Sequence, residues 1–434
     1  MSDFSEMLGQ ILWLIVIDAI FLALLFAVVV LPLAKWGRVA LAVLKRNFIG
    51  YFSNPTGYVF LLLFVFLTSY GAFCDHKFFS TNLANLDQLN RIVPYIMLIF
   101  IPTITMSIWA EERRQGTDEL LLTLPAADFD IVVGKYLAAA AIFTVSLLFS
   151  QLSSYAVLVS LTLGKIDSGL LFTTYLGYWF MGLAMLSIGM IASFLTNNLT
   201  VGFVLGALFN VPLVFSKTAD TVIAKANIAS MVSRWSLAAQ FDDFGRGVIS
   251  LASSAYFILI AVIGVYLSIV LIGRRHWFNS SEGQSKWRVL GYSIVSLVSA
   301  FSILALLLYA WSGNDGLGTS DAFARFGFAA VLAILAGLAI GLTSVSLVSV
   351  IIGLQNPEWI RRNMFDQYVV RAMSLIGIVF GMTYALANYD VVRLDMTKGQ
   401  VSSLSPETRQ LVQNLDNKYP IVIDAYIGSQ LPER

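Results

Sequence analysis

The residues with the most chemistry to offer sit in one polar stretch between apolar ones: Glu111-Glu112-Arg113-Arg114-Gln115-Gly116-Thr117-Asp118-Glu119-Leu120-Leu121-Leu122-Thr123-Leu124-Pro125. Thr117 suits a helix N-cap, Asp118 and Glu119 favour the positive first turn that follows, and Pro125 stops the helix. The leucines then either offer an apolar docking surface rimmed by charge to a soluble partner or pack back under the rest of the chain. Pattern alone leaves both open. Catalysis is poorly served. The chain has no Gly-x-x-x-x-Gly-Lys-Ser/Thr phosphate loop, no His-Glu-x-x-His and no Gly-x-Ser-x-Gly. With 1 Cys (Cys74) and 2 His (His76 and His276), an intramolecular disulfide and a Cys/His zinc cage are both excluded. Asp18 is the clearest acid inside an apolar run. A carboxylate there is a functional hypothesis by default, but a lone one reads better as a neutral or paired structural acid.

The elements that must position these residues are dictated by composition. Of the 434 residues, 58% are hydrophobic and only 12% charged, and the mean hydropathy is +0.79. A crossing helix needs about 20 apolar residues. Ten apolar stretches qualify: residues 11–33, 57–73, 92–110, 136–163, 170–195, 199–215, 255–272, 290–311, 328–353 and 368–388. The first carries Asp3 and Glu6 where a signal peptide has basic residues, so it reads as a retained helix. A net charge of +1 excludes a basic field for nucleic acid. Lys and Arg concentrate in alternate loops, which favours both termini outside. On that topology Cys74 lies outside, and Trp109 and Tyr58 act as interfacial anchors.

Three segments are not spans. Lys35, Arg38, Lys45 and Arg46 interleave with Val39, Val43, Leu44 and Phe48 at helical spacing, as in a helix lying in the inner interface, and Asn54-Pro55 stops it. A plain basic loop is the alternative. The loop 216–254 carries an apolar stripe (Ile228, Met231, Val232, Trp235) continued by Phe241 and Phe244, which predicts a cap of short helices. After residue 388 the composition becomes that of a soluble domain. Ser405-Pro406 starts a helix with Leu411, Val412 and Leu415 on one face, and 421–427 reads as a strand. One helix and one strand cannot bury a core, so 389–434 reads as the opening of an incomplete extracytoplasmic α/β domain. The pairs Gly202/Gly206 and Gly337/Gly341 permit close helix approach.

Glu111, Glu112, Gly116, Thr117, Glu119, Leu120, Leu121 and Pro125, followed by Gly134-Lys135, resemble the coupling segment of ABC-2-type transporter permeases. Residues 47–58 are similar to that family's elbow helix. Phe241-Asp242-Asp243-Phe244-Gly245-Arg246-Gly247 resembles the outer loop of its gliding-motility-associated type. Arg393-Leu394-Asp395-Met396-Thr397 with Val401 to Thr408 is similar to the start of the auxiliary subunit of such permeases.

The resemblance implies an all-α polytopic bundle, type V exporter-like, with a permease core at 35–275. The chain departs from that family's six-span pattern by an added helix 1–34 and additional spans 276–388, so that the apolar stretches give about ten transmembrane helices before the domain start 389–434. The resemblance also implies contact with a cytoplasmic ATPase through the eight residues just named, an elbow helix bearing Lys35, Arg38, Lys45 and Arg46, and pairing with a second copy or a related permease. The chain itself would bind no cofactor, ATP-Mg belonging to the partner ATPase, and would reside in the bacterial inner membrane with no nucleic-acid partner. An ion-coupled secondary transporter and a membrane anchor for a large outer domain are the alternatives.

Overall fold

A computed structural model describes residues 2–74, 86–118, 121, 126–161, 166–218, 236–273, 393–399 and 402. The helices are α1 (Ser2–Leu25), prolonged by a π-helical turn (Phe26–Val30) into α2 (Leu31–Trp36), then α3 (Arg38–Phe52), α4 (Pro55–Phe73), α5 (Asp87–Thr105) and α6 (Ala110–Gln115). They continue as α7 (Asp128–Leu161), α8 (Ser168–Leu195), α9 (Leu199–Phe215), α10 (Leu237–Gly245) and α11 (Leu251–Gly273). Two strands, β1 (Val248–Ser250) and β2 (Arg393–Asp395), pair antiparallel.

Among the described residues, 5 helical stretches are long and apolar enough to cross a membrane: Gly9–Lys35, Asp87–Gln115, Asp128–Leu161, Ser168–Leu195 and Leu251–Ile272. The bent pair Arg38–Phe52 and Gly57–Phe73 adds a sixth, and Leu199–Phe215 is a shorter apolar helix. Each expected span up to residue 273 therefore coincides with a helix. The expected spans 290–311, 328–353 and 368–388, the stripe Ile228 to Trp235, and the helix and strand after residue 404 lie outside the described residues.

The core lies where α4, α5, α7 and α8 meet, around Phe64, Met97, Ile101, Phe143, Tyr178, Met181 and Met185, all nearly inaccessible. Oil-like packing is not sufficient inside a membrane, where lipid competes equally well for apolar faces. Hydrogen bonds between helices supply what burial cannot. Ser150 donates to Thr68 (2.7 Å), Trp179 Nε1 donates to Thr144 (2.9 Å), and Tyr175 donates to the Ser150 carbonyl (3.3 Å). Asp18 joins this set, accepting from Gln151 Nε2 at 3.0 Å. It is thus a paired acid tying the outlying α1 to α7, while Phe21 of α1 meets Trp179 of α8 edge-on at 5.4 Å.

The stretch read as the elbow is helical, as α3, with a shift of face. Ala40 and Val43 are buried, whereas Val39 and Ile49 are exposed. Pro55 at the first turn of α4 and the close passage of Gly57 under the Tyr51 carbonyl set the 77° bend into the next helix. Phe241 and Phe244 anchor α10 over α8, and Ser236 caps it by accepting from the Ala239 N–H at 2.9 Å.

The chain places exposed Cys74 at the same end of the bundle as β1 and β2, and α6 at the other. A membrane-impermeant maleimide should therefore label Cys74 and, in a Cys74→Ser background, Leu394→Cys from one face, and Gln115→Cys from the opposite face. Labelling of Cys74 and Gln115→Cys from one side would contradict the arrangement.

Candidate functional site

The polar stretch begins where the α5 helix breaks. Residues 106–109 form a turn, and the N–H groups released there need partners. One hydroxyl answers: Ser193 Oγ on α8 accepts from Trp109 N (3.1 Å) and Ala110 N (3.2 Å) and donates to the Met106 carbonyl (3.1 Å). Arg113 reinforces the contact by donating to the Phe194 carbonyl. The break lets Trp109 turn inward, where it is 1% exposed and packs on Phe194 with ring centroids 4.3 Å apart. Trp109 is thus a buried wedge and not the interfacial anchor expected from its place near a span end.

Above its ring, 4.3 Å from the centroid, lies the Lys135 ammonium of α7. Lys135 donates to the Ile108 carbonyl (2.6 Å) and pairs with Glu112 Oε2 (2.6 Å), its side chain only 1% exposed. The other Glu112 oxygen takes Arg46 from the elbow helix α3. One carboxylate thereby joins α3, α6 and α7. Burial of an unpaired ammonium costs several kcal/mol, so the geometry around Lys135 has little freedom. Gly134 makes it reachable: a Cβ there would lie 2.6 Å from the Ala40 carbonyl and 2.8 Å from Val43 Cβ, so only glycine lets α3 and α7 touch at this height. On the outer face of α6, Glu111 is bonded by Arg114 (2.7 Å) and Gln115 (2.6 Å). A cleft of about 570 Å³ opens beside the joint, lined by Arg46, Asn47, Tyr51, Glu111, Gln115 and Lys135.

The expected site residues are placed as follows. Glu111 and Glu112 are in the joint. Gly116 ends α6 in the left-handed region, φ 67°. Thr117 is already helical and donates to the Glu112 carbonyl (3.3 Å), so it opens the next turn instead of standing before it as a cap. Leu121 is 6% exposed in a cluster with Trp109, Ile131, Met190 and Ile272, which is the under-bundle alternative for that leucine. Glu119, Leu120 and Pro125 lie outside the described residues. Of the elbow cations, Arg46 enters the joint, while Lys35, Arg38 and Lys45 are exposed. In the sequence Lys135 stands out only as the residue after Gly134 in the resemblance, and Ser193 not at all; a lone lysine directly after glycine at the start of an apolar helix is the available signal for the first.

Glu112→Gln removes the charge opposite Lys135 and should destabilise the chain by about 3–5 kcal/mol. Lys135→Met should cost less, because Glu112 keeps Arg46 and its side chain is 15% exposed. The double variant should recover part of the loss. Thermal unfolding of the detergent-solubilised chain distinguishes this from equal and additive losses, which would show that the pair does not hold the joint.

A scan of family models matches residues 12–241 to the ABC-2 family transporter proteins, from within α1 to within α10. A search of the curated proteins found no match. The match covers more than half of the chain, on a bundle of apolar helices suited to several membrane crossings. The chain therefore belongs to the ABC-2 family transporter proteins.

Proposed function

We propose that this chain is the permease subunit of an ABC transporter of the gliding-motility-associated type, coupling ATP hydrolysis by separate cytoplasmic ATPase subunits to export or to work outside the membrane. Family membership supplies the coarse part of this reading. The observation that supports coupling is the joint, in which Glu112 ties the elbow, the short helix α6 and the start of α7 into one body. A soluble motor pushing on α6 then pushes on three elements together.

Charge supports the orientation. Lys35, Arg38, Lys45, Arg46, Arg113, Arg114 and Lys135 gather at the joint end, which the positive-inside bias puts in the cytoplasm. Gly273 and Arg393 belong to opposite ends of the bundle. With the three apolar stretches read from the sequence between them as spans, the proposed total is about ten, with both termini outside in a bacterial inner membrane. Pairing with a second copy or a related permease, ATP-Mg held by the ATPase and an incomplete α/β domain after residue 389 complete the proposal. Asp18 is committed to Gln151, which gives no support to ion coupling.

With Leu121 buried, the surface left for an ATPase is the exposed side of α6 and the turn after it, including Arg114, Gln115 and Thr117. Arg114→Glu combined with Leu120→Asp should reduce copurification of the ATPase roughly tenfold or more, a loss of about 1.4 kcal/mol or greater, while insertion is unchanged. Undiminished copurification together with ATP-dependent activity would contradict docking at this surface.

A further inference from the structure

Helix α8 is anchored at both ends by unrelated contacts. At one end Ser193 and Phe194 hold the α5 break and Arg113 of the joint. At the other, some 42 Å away for 28 residues, its N-terminus holds the segment that begins at Arg393. Asp167 divides its two oxygens between these tasks. Oδ1 caps α8, accepting from Gly169 N (3.0 Å) and Leu170 N (3.1 Å), and Oδ2 accepts from Lys398 N (2.8 Å).

The segment is held at several points along its described residues. Strand β2 adds to β1 in the register Val248 to Asp395, Ile249 to Leu394 and Ser250 to Arg393, and Met396 N donates to the Gly247 carbonyl at 3.0 Å. Ser402 Oγ donates to the Arg246 carbonyl at 2.7 Å. Asp395 folds the segment on itself, accepting from Thr397 N (2.9 Å) and Ser402 N (3.0 Å). Two glycines are shaped to this occupant. A Cβ at 169 would lie 1.8 Å from the Met396 carbonyl oxygen, and one at 247 would lie 2.2 Å from Thr397 Cγ2. Gly169 is the informative one: it is the second residue of a helix, where alanine would otherwise be preferred, and the close contacts at that position are with Met396.

We propose that residues 393–399, with Ser402, are a strap that stays locked to α8 and β1 through the transport cycle, so that the chain following Ser402 is carried by the helix whose opposite end receives the ATPase stroke. The carrying role rests on the function proposed above; the seat does not. Strand addition supplies main-chain bonds insensitive to side-chain identity, as a contact that must stay closed under force requires.

The test uses the full chain in lipid nanodiscs with its copurified ATPase, carrying Cys74→Ser, Ile249→Cys and Leu394→Cys. Directly paired residues of an antiparallel ladder are within disulfide reach. The crosslink should form readily with the chain alone, without nucleotide and after ATP trapping, and the locked complex should continue to hydrolyse ATP. Adding Gly169→Ala should slow its formation roughly tenfold, the effect of about 1.4 kcal/mol of lost seating. A crosslink rate indifferent to Gly169→Ala overturns the seat. A crosslink lost on ATP trapping, or one that arrests hydrolysis, overturns the permanent strap. Absence of any ATPase from the preparation, with the crosslink intact, overturns the carrying role alone.

Discussion

The arrangement depends on keeping the Lys135 ammonium charged in a place where water does not reach it. Lysine is excluded from apolar interiors unless its charge is met at short range. Here the meeting is threefold: the Glu112 carboxylate, the Ile108 carbonyl and the Trp109 ring face. Each partner belongs to the region where α5 breaks and α6 begins, so satisfying Lys135 fixes that region onto α7. Arg46, on the second oxygen of Glu112, fixes the elbow to the same point. A neutral apolar contact in the same place would hold the helices together but allow them to slide. A buried charge with directional partners does not.

From this joint α8 provides continuity across the bundle. The Ser193 hydroxyl has both lone pairs and its proton engaged at the break. The far end of the same helix engages the Arg393 segment through Asp167. Between the two ends, serines, threonines and Gln151 along α7 bond to α1, α4 and α8, which gives helix contacts in lipid the specificity that apolar burial lacks there.

Much of the fold was legible because the constraint behind it is crude. Crossing a bilayer requires long apolar runs, and every run read up to residue 273 corresponds to a helix. The helix α3 was legible from basic residues at helical spacing, and α10 from Phe241 and Phe244. Local pattern could not reveal which partners meet. Lys135 and Trp109 each looked like ordinary residues of a span end, and only the chain reversal between α6 and α7 brings them together. The same holds for β1 and β2. Phe241 to Gly247 and Arg393 to Thr397 each drew attention as separate motifs, but a ladder of three-residue strands so distant in sequence leaves no periodic trace. Leu121 shows the converse limit: a leucine in a charged loop reads equally well as a docking or a packing residue until its neighbours are known.

The central proposal is that the joint behaves as one rigid body when the proposed partner ATPase works. The most direct measurement is the distance between spin labels at Lys45→Cys on the elbow and Gln115→Cys on α6, both exposed, in a Cys74→Ser chain complexed with its ATPase. The account predicts a narrow distance distribution that is the same without nucleotide and after ATP trapping. A distribution that broadens or shifts on trapping would mean that the elbow and α6 move separately, and that the Glu112 bridge is not what carries the stroke into the bundle.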